Sequence, residues 1–103
     1  MTAADLKVGQ SIEIQLEREG YIYHLFSKVH ETGRNKVYIL PITSGAKTLR
    51  FEPDDEIKLI CRTRERLLAW SNVKGGVEFL EGEKYHVLHV SGEAESYNRR
   101  NSY

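Results

Sequence analysis

Ser11-Ile12-Glu13-Ile14-Gln15-Leu16-Glu17 alternates apolar and polar residues without a break, with three aliphatic side chains on one face and Glu13, Gln15 and Glu17 on the other. That period of two predicts a strand buried on one side. Gly9 precedes it and Arg18-Glu19-Gly20 follows as a turn, after which Tyr21 to Val29 resumes as a β-branched and aromatic run, so the pair predicts a hairpin. Glu31 to Asn35 predicts a second turn and Lys36 to Leu40 a third strand, ended by Pro41. Beyond Ser44-Gly45-Ala46 comes a short Thr48 to Phe51 segment. Glu52-Pro53-Asp54-Asp55 then turns the chain into a strand in which Ile57, Leu59, Cys61 and Thr63 share a face. Leu67 to Val73 and Lys84 to Val90 are the last apolar runs, and Val77 to Glu81, between Gly75-Gly76 and Gly82, fits a strand extension or a single turn of helix equally well. Six or seven short strands at near-regular spacing predict an all-β, antiparallel barrel or sandwich.

After Val90 the pattern stops. Ser91 to Tyr103 is polar and aperiodic, which predicts a barrel domain over residues 1–91 and a tail or linker over 92–103. The 103 residues suit one core, and 40% hydrophobic with 29% charged residues is ordinary globular usage. Lys+Arg and Asp+Glu are both 15, so no whole-domain field favours duplex nucleic acid or anionic membrane. Neither an apolar leader core nor a membrane-spanning run is visible. Cys61, the single cysteine, cannot form an intrachain disulfide, and a reducing cytoplasm is the simplest setting.

Candidate chemistry is sparse. Glu52, Asp54, Asp55 and Glu56 lack the spacing of a calcium loop and read as a polar turn. His24, His30, His86 and His89 lack metal-ligand spacing and are expected on outer strand faces; no metal is expected. Cys61 alternates with Ile57 and Leu59 and is expected in the core. Arg62, Arg64 and Arg66 read as an anion-binding row or, more simply, a charged strand edge that resists aggregation. Trp70, Tyr21, Tyr23, Tyr38 and Tyr85 suit a base-stacking platform or, more simply, barrel packing.

The order of these features resembles the N-terminal (PilZN-type) domain of YcgR-like flagellar brake proteins. Leu6-Lys7-Val8-Gly9-Gln10 ahead of Ile12 and Ile14 looks like that family's Leu-x-x-Gly opening. Tyr23 to Val29 looks like its second strand, Ile39-Leu40-Pro41 with Gly45 like its Pro-x-x-x-Gly turn, and Asp54-Asp55-Glu56-Ile57 stands where a Gly-Asp normally precedes a strand. Tyr97-Asn98-Arg99-Arg100-Asn101-Ser102-Tyr103 resembles the Gln-Arg-Arg-x-x-x-Arg segment that leads into a PilZ domain, with Asn98 for Gln and the last arginine absent.

The resemblance implies a six- to seven-stranded split β-barrel that does no chemistry. It implies a chain ending near the start of a PilZ domain, with that domain, cyclic di-GMP and flagellar motor proteins as partners. Arg99 and Arg100 are the implied cyclic di-GMP ligands, guanidinium groups being suited to pair bidentately with its phosphates and guanine edges. The PilZ Asp/Asn-x-Ser-x-x-Gly motif has no match here, so the chain alone is not expected to be a competent receptor, and no resident cofactor is expected. A stand-alone barrel binding single-stranded nucleic acid is the alternative, and a flavin-binding split barrel a third, supported by architecture only.

Overall fold

The computed structural model describes residues 2–44, 47–62 and 67–96. The alternating runs become strands β1 (Ser11–Arg18), β2 (Tyr21–Gly33), β3 (Lys36–Ile39), β6 (Glu56–Arg62), β7 (Leu67–Leu80) and β8 (Glu83–His89). Three two-residue strands join them: β4 (Thr43–Ser44), β5 (Lys47–Thr48) and β9 (Glu95–Ser96). The main sheet runs β6-β1-β2-β3-β8-β7-β9, and a further β6–β7 pairing closes it into an antiparallel six-stranded barrel. The expected split barrel is the architecture found.

Two long strands make the split. The first part of β2 pairs with β1, from Arg18↔Tyr21 to Ser11↔Lys28, and its last part with β3, the register shifting between Val29 and Glu31. Leu67 to Val73 of β7 pairs with β6, and Lys74 to Leu80 pairs with β8. A bulge bends a strand and raises its twist, which lets one strand serve both halves of a closed sheet. β7 carries its irregularity opposite Ile57 and Leu59, beside Asn72 at φ 57°. Gly75-Gly76, a break in the sequence pattern, lies inside this one strand, and Val77 to Leu80 extends it.

The core contains the inward residues that the alternation marks, Ile12, Ile14, Leu16, Ile57, Leu59 and Cys61, together with Val37, Ile39, Leu68, Trp70 and Leu88 from the other strands, all buried. Ala3 and Leu6, on and just after a 3-10 turn over Ala3–Asp5, join it, and the Gly9 N–H donates to Val29 O at 2.7 Å. The long β3–β6 connection adds Ile42, Leu49 and Phe51 to the same cluster. Thr48 to Phe51 is therefore strand only at Thr48, in β5; the remainder packs as loop. Of the polar stretch after Val90, Glu95 and Ser96 pair with Ala69 and Leu68, and Gly92 O accepts from Trp70 Nε1 at 3.3 Å.

Candidate interaction surface

The turn before β6 contains an ion pair. Asp55 is buried, and its Oδ1 and Oδ2 accept from Arg18 Nε at 2.7 Å and Nη2 at 2.6 Å, while the Glu52 N–H donates to Oδ2 at 2.7 Å. Arg18 Nη2 also reaches Arg50 O at 2.8 Å. Hydrogen bonds from Arg18 hold the Asp55 carboxyl below its ordinary range despite its burial, and the same pairing raises Arg18. The expected polar turn is thus also an anchor, tying the β3–β6 connection to the end of β1. Among the described residues no group of three His, Cys, Asp or Glu side chains could hold a metal ion.

The histidines divide. His24 is on the outer face of β2 and its Nδ1 lies 2.9 Å from Glu13 Oε2, with the Glu13 side chain nearly covered. His30 stacks on Tyr85 at 4.1 Å between ring centroids, and His89 is exposed. His86 departs from the outer-face expectation. It is 2% exposed and neither ring nitrogen has a hydrogen-bond partner among the described residues. It stands opposite Ile39, with Phe51 edge-on at 5.0 Å. Burial lowers its pKa, with Lys84 adding to the effect. The parity of His86, Leu88 and Val90 was the available signal for an inward position. Cys61 is buried in the core as expected, and desolvation raises its thiol pKa.

The aromatic residues divide too. Trp70 and Tyr38 are packed, the latter with its hydroxyl 3.0 Å from Glu78 Oε1. Tyr21, Ile22, Tyr23 and Phe26 are exposed, all on the part of β2 that pairs with β1 alone. Between Tyr21 and Ser27, no strand among the described residues lies on the other side of β2. Next to this edge is a shallow, mostly apolar groove of about 260 Å³, lined by Ser11, Ile12, Glu13, Phe26, Ile60, Arg62 and Leu67. An apolar strip on an open strand edge is suited to contacts with protein. In the sequence this run reads as one arm of a hairpin, and Tyr21 and Tyr23 as barrel packing or a stacking platform, because no local pattern shows how much of β2 the next strand covers.

Arg62 borders that groove; Arg64 and Arg66 lie outside the described residues, as do Arg99 and Arg100. Among the described residues no helix is long and apolar enough to cross a membrane.

No family model matches the chain, and no curated protein matches it. A solved structure does: the inhibitor of motility (MotI/DgrA) from Bacillus subtilis superposes with a TM-score of 0.73 at 13% identity. The match covers 93% of this chain and 48% of that one, so the chain spans about half the length of that protein. At this identity the likeness establishes a shared fold, and the barrel described above is the fold of roughly half of a motility inhibitor.

Proposed function

We propose that this chain is a non-enzymatic regulatory domain that acts through protein contacts, within a cyclic di-GMP-responsive PilZ protein that controls flagellar motility. The observation that carries this reading is the fold match, spanning nearly the whole chain and half of an inhibitor of motility. The ordered resemblance of Leu6 to Gly9, Pro41 and Asp55 to a YcgR-type domain supports it independently. The structure gives those positions physical roles: Leu6 fills the core, Gly9 bonds β2, and Asp55 is the buried partner of Arg18.

In this reading the barrel supplies a contact surface, a PilZ domain supplies most of the nucleotide site, and Arg99 and Arg100 close on cyclic di-GMP from the segment between them. The ligand favours one arrangement of the two barrels because it binds that arrangement better. A single-stranded nucleic-acid role has less support, since Arg62 borders an apolar groove and Trp70 and Tyr38 are buried in packing.

The test is swimming in soft agar by cells lacking the gene, at low and at raised cyclic di-GMP, with complementation by the natural gene and by Arg99→Ala/Arg100→Ala. Loss of the gene should enlarge the swim halo at raised cyclic di-GMP, and the double variant should fail to restore the smaller one. Identical halos in all strains at both nucleotide levels would refute the reading.

A further inference from the structure

The open edge of β2 has the pattern of a strand that can pair with itself. Glu19 (φ 51°) and Gly20 (φ 82°) form the two-residue turn that joins Arg18 to Tyr21, the left-handed pair of a type I′ hairpin. In such a hairpin Arg18 and Tyr21 exchange both backbone bonds, and the pattern alternates from there. Tyr21, Tyr23, Leu25 and Ser27 therefore turn their N–H and C=O groups toward β1, while Ile22, His24, Phe26 and Lys28 turn theirs away. The bond from Leu40 N to Lys28 O, at 3.1 Å, agrees with this phase. Ile22, His24 and Phe26 present three donors and three acceptors along an edge where the described residues place no strand.

We propose that this edge takes a second copy of the chain, paired antiparallel about a two-fold axis at His24. In that register Ile22 lies opposite Phe26 of the other copy, His24 opposite His24, and Phe26 opposite Ile22, so all three outward residues exchange backbone bonds. Each of these pairs lies on the outer face, where Ile22 is 52% and Phe26 71% exposed in the single chain. On the other face Tyr23 meets Leu25 of the other copy, twice. Lys28 O is already taken by Leu40 N, so the shared ribbon ends at the Ile22–Phe26 pairs, with the Glu19-Gly20 turn of each copy beyond them.

Shifting the register by two residues in total, to an axis at Tyr23, sets Ile22 against His24 and Phe26 against Gly20, losing both apolar pairs on the outer face. The run from Tyr21 to Ser27 contains no Lys or Pro, the residues that commonly protect an edge from such pairing. An isologous contact of this kind closes on itself and stops at two copies. The inference does not depend on cyclic di-GMP, and its failure would leave the regulatory reading to the swimming test.

Sedimentation equilibrium of the chain at about 100 μM, enough to populate micromolar complexes, should give twice the 11.9 kDa chain mass. The double variant Ile22→Lys/Phe26→Lys sets like charges opposite one another at both outer pairs and should weaken the dimer by about tenfold or more. Both substituted positions are exposed, so its circular dichroism should match the parent. His24→Cys supplies a second, register-specific reading. Directly opposed residues that exchange backbone bonds have Cα atoms about 5.5 Å apart, within disulfide reach, so mild oxidation should join two copies at this position. Tyr21→Cys, whose thiol would face Ser27, should cross-link far less, and the natural Cys61 is buried and should not compete. A monomer at about 100 μM with no His24→Cys cross-link would overturn the proposal, as would a dimer that cross-links equally through Tyr21→Cys.

Discussion

Replacing Arg18 with methionine isolates the anchor between β1 and the β3–β6 connection. Methionine keeps most of the apolar stem but removes both guanidinium bonds to Asp55 and the bond to Arg50 O. Asp55, whose side chain is 1% exposed, is left with the Glu52 N–H as its one remaining donor among these bonds. Breaking a fully buried pair costs about 3–5 kcal/mol. Here Arg18 is 32% exposed and water can enter where it stood, so we discount the loss to about 2–3 kcal/mol, a fall in Tm of roughly 10–20 °C for a domain of this size.

The pH dependence gives the stricter test. Asp55 has a lowered pKa in the folded chain, so its contribution is complete above the unfolded carboxylate value of about 3.9 and disappears as the pH falls through the folded value. Urea unfolding followed by Trp70 emission should therefore show a full gap between natural and Arg18→Met chains at pH 7 that narrows progressively below about pH 4. Any contribution from His86 titration is common to both chains and cancels in the difference. A gap under about 0.5 kcal/mol at pH 7, within the range of an ordinary surface substitution, would refute the reasoning. So would a gap that stays constant into acid.

His86 makes the complementary prediction: His86→Leu should stabilise the barrel by roughly 1–2 kcal/mol at pH 7, because two buried ring nitrogens without partners among the described residues are replaced by apolar surface. Because burial lowers the His86 pKa, protonation favours the unfolded chain. The natural protein should lose stability as pH falls below about 6.5, and the variant should lack that component in urea melts across the same range. Gly75→Ala would place a Cβ 2.5 Å from Phe51 Cγ and should cost about 1–3 kcal/mol in thermal melts, with part of the loss recovered in the Phe51→Leu background. Cys61, buried and with a raised thiol pKa, should react with a thiol reagent in native buffer at a rate limited by opening of the barrel, and at once in denaturant.

What the sequence made legible followed from strict alternation. β1 and β6 announce their inward residues by a period of two, whereas β8 shows only as an apolar run and its inward His86 is expected outside. The resemblance reached the same barrel from scattered positions that the structure explains one at a time. What stayed hidden was long-range. Asp55 reads as one more polar turn residue because its partner, Arg18, is 37 positions away. Gly75-Gly76 reads as a break because the Phe51 ring that presses on Gly75 comes from another part of the chain. Tyr21 to Phe26 reads only as the second arm of a hairpin, since nothing local records that β3 pairs with β2 only from Val29 onward.

The regulatory account is tested most directly by calorimetric titration of cyclic di-GMP into this chain and, in parallel, into the same chain continued through a following PilZ domain. The account predicts no heat of binding from the barrel alone and saturable binding by the two-domain protein, abolished by Arg100→Ala. Saturable binding by the 103 residues alone, or binding by the longer protein that is indifferent to Arg100→Ala, would contradict it.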